Sequence, residues 1–257
     1  MVEVIVCIIA GLLAGFGTGF AGLSAAVFIA PMLITFLNMN SFTAIGIALA
    51  SDVLASAVSA LTYYKNKNTS LKKILPLMLA VFSFAIVGTI ISHLFTNLSA
   101  GESIMGWWLI VAMLLLGIKL LFRPADNKKE NNGMLKLSAT LIMIIGGCYI
   151  GFVCGFQGTG GGLMMLFVLN ILLSMDYKKA VGNSVCIMSV TALIGAVSHF
   201  SIQGLPDIVP LTICVVFTLL GATIAAYIAN KINPIILKRL TGGLMTSASI
   251  IMLVTKI

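Results

Sequence analysis

The residues of this 257-residue chain that offer binding chemistry are backbone groups at glycine clusters and a few uncharged polar side chains. The first cluster runs Gly15-Phe16-Gly17-Thr18-Gly19-Phe20-Ala21-Gly22, with Ser24 just beyond it. The second runs Gly151-Phe152-Val153-Cys154-Gly155-Phe156-Gln157-Gly158 and extends through Thr159, Gly160, Gly161 and Gly162. Three consecutive glycines inside a helix would cost about 1 kcal/mol each relative to alanine, so the stretch from Gly158 to Gly162 is expected to be a break with open backbone. A helix N-terminus at such a break presents unpaired N–H groups and a positive dipole end, which favour an anion. Gln157 adds an amide and Thr159 a hydroxyl. The expected substrate-binding set is therefore Gly19, Gly22 and Ser24 with Gly155, Gln157, Gly158, Thr159, Gly160, Gly161 and Gly162. Asn183 and Ser184, early in a later apolar stretch, either donate to an oxoanion or, for the asparagine, cap a helix. The competing use of Gly11, Gly15, Gly147 and Gly151 is close helix packing. Phe16, Phe20, Phe152 and Phe156, spaced i and i+4, read as core or lipid contacts.

Asp52 is the one carboxylate deep within an apolar stretch. An ionisable group there is costly and marks function by default. It suits ion coupling, as a proton relay or a sodium ligand; the alternative is a carboxylate facing an internal water-filled cavity. Its counterpart in the second half of the chain is Met188, so the feature is not duplicated.

These groups need elements to hold them, and the composition says where those elements lie. The chain is 60% hydrophobic and 9% charged, a balance that belongs in lipid. No charge occurs from Val4 to Ser51 or from Leu137 to Met175. Each run exceeds the ~20 residues that cross a bilayer. The first three residues lack the basic start of a signal peptide, so the first apolar run is expected to be retained. The net charge of +8 comes from lysines in short loops between apolar stretches, which is a topology signal and argues against nucleic acid as a partner. Five single cysteines, without paired spacing or adjacent histidines, suggest packing rather than a metal or disulfide framework. His93 and His199 lie near span ends, and Trp107-Trp108 look like interface anchors. No clustered catalytic set and no Walker loop is present, so an enzyme is not expected, no cofactor is implied, and any transport is secondary rather than ATP-driven.

Six stretches read as ordinary transmembrane helices: 42–64, 74–95, 104–122, 180–202, 208–230 and 235–255. The segments 2–37 and 136–174 remain. A straight helix over the first would be about 54 Å long against a ~30 Å hydrocarbon core. Both hold a glycine cluster near the middle, and each is expected to break or turn back there.

The two halves are related. A shift of 136 residues superposes the two G-F-x-x-G-F-x-G motifs and also pairs Gly11 with Gly147, Ala44 with Ala180, Gly46 with Gly182 and Ala60 with Ala196. Collinear matches of this kind indicate duplication. Loop charge then sets orientation. If both long segments are re-entrant, fourteen of the fifteen Lys and Arg share one face and Lys256 alone lies opposite, the better fit to the positive-inside rule. The expected architecture is an all-α polytopic membrane protein of two inverted-topology repeats, each a broken or re-entrant helical hairpin plus three full transmembrane helices. The repeats would be residues 1–122 and 136–257, joined by the polar linker 123–135.

The paired glycine motifs, the extension Gly158-Thr159-Gly160-Gly161-Gly162 and the run Ala180-Val181-Gly182-Asn183-Ser184 together resemble the sulfite exporter TauE/SafE family over essentially the whole chain. The resemblance implies a multi-pass inner-membrane permease for small sulfur-containing anions such as sulfite or organosulfonates, coupled to an ion gradient, with proton or sodium as the coupling ion. The first copy departs from the fuller pattern where Leu23-Ser24-Ala25-Ala26 replaces the glycine-rich tail. An anion channel and a non-transporting scaffold are the alternatives. Substrate, transport direction and oligomeric state are left open.

Overall fold

The computed structural model describes residues 2–94, 110–111, 114–122, 136–157 and 161–256, and these residues are helical apart from short connections. The first half contains α1 (Val2–Ala21), α2 (Ala26–Leu37), α3 (Ser41–Lys65), a 3₁₀ turn (Leu71–Ile74) and α4 (Leu75–Leu94). Helical residues at 110–111 and 114–122 form the described part of α5. The second half contains α6 (Lys136–Gln157), α7 (Gly162–Leu166, continuing as a π-helical stretch Phe167–Leu172), α8 (Tyr177–Gln203), α9 (Ile208–Lys231) and α10 (Pro234–Lys256). Six helices among the described residues are long and apolar enough to cross a bilayer: α1, α3, α4, α6, α8 and α9. The expected span at 104–122 lies partly outside the described residues, as do Trp107-Trp108, the linker 123–135 and Gly158 to Gly160.

Both long apolar segments reverse. In the first, α1 ends at Gly22, whose φ of 62° is left-handed and natural to glycine. Gly22 donates to the Thr18 carbonyl at 2.9 Å and Leu23 to the Gly17 carbonyl at 3.2 Å, which closes the end of the helix. The chain then folds back, so that Phe28 of α2 lies against Gly17 of α1. In the second segment Gly161, at φ 63°, starts α7. Val168 of its continuation lies against Gly146 of α6. The returning arms, 12 residues in α2 and 11 from Gly162 to Leu172, are too short to cross a bilayer as helices.

Glycine spacing decides how the hairpins dock. Gly11, Gly15 and Gly19 recur every four residues along one face of α1 and meet Cys214 and Thr218, then Gly221 and Ala222, then Ala225 and Ala226 of α9. The two helices therefore run parallel and in near backbone contact. Gly147, Gly151 and Gly155 of α6 do the same against Leu77 and Ala80, Val81 and Ala85, and Ala85 and Thr89 of α4. Small residues at four-residue intervals are what permit this approach in an apolar solvent, where packing rather than hydrophobicity drives association. Gly19 and Gly155, expected among the binding residues, extend these packing ridges: the face of each that lacks a side chain is filled by the neighbouring helix.

Two further helix pairs run antiparallel. Gly46 of α3 approaches Phe200 of α8 while Gly182 of α8 approaches Tyr63 of α3. Gly117 of α5 meets Met245 and Thr246 of α10, and Gly242 of α10 meets Leu121. Exchanging the halves maps α1 on α9 into α6 on α4 and returns α3 on α8 and α5 on α10 to themselves. One end of the bundle gathers the basic loops. There the Asn68 side chain donates to the Asn230 side chain at 2.6 Å, and Lys178 donates to the Asn230 carbonyl at 2.8 Å. Lys238 lies over the Tyr177 ring, 5.7 Å from its centroid. Loops 65–73, 176–179 and 230–239 thus share a face.

Candidate functional site

The two reversals meet in the interior. Ser184 of α8 places its hydroxyl 3.3 Å from the Gly22 carbonyl and 3.3 Å from the Gly162 carbonyl, within reach of both tips at once. Gly162 lies so close to the Gly22 carbonyl that a Cβ there would collide with it. The surroundings are closed: Leu23, Ser24, Ala25, Leu163, Ser184 and Met188 are all buried. Four of the expected residues, Gly22, Ser24, Gly162 and Ser184, are brought together here, and Gly161 begins the second arm.

Asp52 of α3 belongs to the same region. It is fully buried, the Thr18 hydroxyl is 3.5 Å from its Oδ1, and Oδ2 has no hydrogen-bond partner. The Ser24 hydroxyl and the Ala25 backbone N–H adjoin the carboxyl. Ser24 also accepts from the Ala26 N–H at 3.3 Å, at the start of α2. Thr18 was not singled out by sequence reasoning, although a hydroxyl between Gly17 and Gly19, matched by Cys154 in the second glycine motif, is a signal that could have found it.

Other polar groups are already engaged. Asn183 accepts from the Ser70 N–H at 2.8 Å and donates to the Ser70 hydroxyl at 3.0 Å and the Met175 sulfur at 3.1 Å. It therefore clamps the α3–α4 connection onto α8, and neither caps its own helix nor joins Ser184 at the tips. Ser51 donates to the carbonyl four residues earlier at 2.8 Å, a back-bond that keeps a hydroxyl tolerable within a membrane helix. The Gly19 carbonyl accepts from Tyr63 at 3.0 Å and the Gly155 carbonyl from Thr89 at 3.4 Å. The Gln157 side chain and Gly158, Thr159 and Gly160 lie outside the described residues. Among the described residues no group of three or more His, Cys, Asp or Glu side chains could hold a metal ion.

Interrupted helices whose tips meet in the interior of a membrane bundle are a transporter feature, and comparison with known proteins agrees. The family model for the sulfite exporter TauE/SafE matches residues 7–252. The chain belongs to this family. Among curated relatives of this TauE/SafE chain, the probable membrane transporter protein YdhB of Bacillus subtilis is 25% identical over 230 residues, covering 88% of the chain and 90% of the relative. YunE of the same organism, also described as a probable membrane transporter protein, is 26% identical over 215 residues, covering 76% and 77%. A probable membrane transporter protein of Haemophilus influenzae is 28% identical over 192 residues, covering 70% and 67%. The TauE/SafE chain is therefore a multi-pass membrane transporter and not an enzyme.

Proposed function

We propose that the protein is a secondary transporter of small sulfur-containing anions, of the sulfite or organosulfonate kind, coupled to an ion gradient through Asp52 in the inner membrane. It is built of two inverted repeats, residues 1–122 and 136–257, joined by the linker 123–135. The observation that carries this reading is the meeting of the two re-entrant tips at Ser184. Non-helical backbone is tolerated at membrane depth where it is enclosed by protein or lines a cavity, and in repeat-built transporters that is where substrate binds. Support for the inverted arrangement comes from helix direction and charge. α1 runs with α9 and α6 with α4, while α4 begins at the basic end where α9 finishes, so the two hairpins enter from opposite ends.

The second tip suits the anion. Gly161 and Gly162 stand at the start of α7, where backbone N–H groups lack helical partners, and no carboxylate stands at its Met188. A sulfur oxoanion would take hydrogen bonds from these N–H groups, from Gln157 and Thr159, and from Ser184 once its hydroxyl turns from a carbonyl to the ligand.

Thermal unfolding of the purified full chain with sulfite, sulfate, thiosulfate, sulfoacetate, taurine and carboxylate controls tests this. A sulfur oxoanion at a hundredfold its Kd is expected to raise the Tm saturably by about 5–10 °C. Ser184→Ala and Gln157→Ala should remain folded and weaken that response about tenfold each. Indifference of the wild-type protein to every sulfur anion would end the substrate assignment.

A further inference from the structure

The first tip holds an excess of oxygen acceptors over hydrogens. Thr18 has one hydroxyl proton and three oxygens around it: the Ala14 carbonyl at 3.0 Å, the Leu23 carbonyl at 2.9 Å and Asp52 Oδ1 at 3.5 Å. The Ser24 hydroxyl and the Ala25 N–H adjoin the same carboxyl, and Asp52 Oδ2 is buried with no donor at ordinary hydrogen-bond distance. Asp52, Thr18 and Ser24 expose at most 1% of their surface. Leu23 and Ser24 lie in the unwound backbone between α1 and α2, next to the negative pole of the 20-residue helix α1.

We infer that this cluster is a sodium-ion site whose ligands are the Asp52 carboxylate, the Thr18 and Ser24 hydroxyls and the Leu23 carbonyl. One added proton would serve a single pair of these oxygens, whereas a coordinated cation serves the whole set. The charge also matches: one carboxylate neutralises a monovalent ion, and a divalent ion would leave uncompensated charge in a dry interior, which is costly. All the ligands are oxygens, so the ion is a hard cation rather than a transition metal. Unwound carbonyls at a half-helix C-terminus are a recurrent place for such an ion. The second half has no equivalent, because the positions matching Thr18, Ser24 and Asp52 are Cys154, Gly160 and Met188. From the cluster, Ser56 and Ser59 continue on the buried face of α3 toward the basic end, and the Ser59 hydroxyl has no partner. They mark a polar route by which the ion reaches that face.

This deepens the reading of Asp52 as the coupling group and rests on that reading only for what the ion drives. The test is thermal unfolding of the full chain in sodium, potassium and choline chloride at equal ionic strength and pH. Sodium should raise the Tm saturably, by about 5–10 °C at a hundredfold its Kd. Asp52→Asn should lose the shift, and Thr18→Val and Ser24→Ala should move its midpoint at least tenfold higher. An equal sodium response in wild type and Asp52→Asn would overturn the site. So would an unchanged midpoint in Ser24→Ala, which decides the matter if Asp52→Asn does not fold. A pH-dependent shift, lost in Asp52→Asn and indifferent to sodium, would overturn it in favour of a proton. Anion uptake by proteoliposomes separates this inference from the transport reading. Uptake that ignores a sodium gradient refutes sodium coupling and leaves the transporter standing; a sodium shift without any anion response does the reverse.

Discussion

The tips of the two reversals share a scaffold and differ in chemistry. Each hairpin docks through three glycines at four-residue spacing, and each reversal contains a glycine at φ near 60°. The first tip carries Thr18, Ser24 and Asp52 where the second carries Cys154, Gly160 and Met188. Under the proposed duplication, the residues that let helices approach are common to both halves while the oxygens of the proposed sodium site are not. Packing constrains both halves alike, because backbone contact leaves no room for a side chain. In the proposed transporter, ligand chemistry would constrain each half separately, since the two tips would bind different ions.

The most disruptive way to break this comparison is to give the second tip the first tip's carboxylate. Met188 is fully buried, with its sulfur beside Gly162. Met188→Asp would place a carboxylate there without the hydroxyls that surround Asp52. The expected cost is about 3–5 kcal/mol, that of a buried charge left uncompensated, whereas Met188→Leu should cost less than about 1.5 kcal/mol. Folded yield and Tm of the two variants measure the difference. If Met188→Asp is as stable as Met188→Leu, the tips are chemically interchangeable and the division of labour fails.

A smaller effect should be symmetric. At Gly15 and at Gly151 an added methyl group would strike the backbone of the partner helix, at Thr218 to Ala222 in one case and Val81 to Ala85 in the other. Gly15→Ala and Gly151→Ala are each expected to cost about 2–3 kcal/mol by overpacking. Gly243→Ala, with open space around the new methyl, should be neutral or mildly stabilising. Unequal losses at Gly15 and Gly151, read from Tm, would show that the halves differ in scaffold as well as in ligands.

Much of this scaffold was legible in the sequence. The spans at 42–64 and 208–230 fall within a residue or so of α3 and α9 because polar residues mark their ends: Asn38, Asn40 and Lys65 for α3, and Asp207 and Lys231 for α9. Length alone called for a break or a reversal in each long segment, since no straight helix of that size fits a bilayer, and the distribution of Lys and Arg among the loops favoured the reversal. The function of individual glycines was less legible. Gly19 and Gly22 look alike in the motif, yet one faces α9 and the other turns the chain, a distinction that depends on which helix docks there. Thr18 escaped notice because a threonine in a membrane helix normally satisfies itself on its own backbone. Its nearness to Asp52 arises only when α1 packs on α3, 34 residues later.

The same limit separates Asn183 from Ser184, and it supplies the mildest test. The two are neighbours in sequence and were both expected as candidate oxoanion donors, with helix capping the alternative for Asn183, but successive positions on a helix point about 100° apart. Ser184 is directed at the tips and Asn183 at Ser70 and Met175. Asn183→Ala removes an acceptor from the Ser70 N–H in a part-buried loop, where water can partly replace it, so the expected loss is about 1 kcal/mol. The midpoints for anion and for sodium in the thermal assay should stay within about twofold of wild type, since a clamp at the basic end alters stability without touching either tip. A tenfold shift in the anion midpoint would instead place Asn183 in the binding region and make α8, rather than the glycine breaks, the principal source of anion ligands.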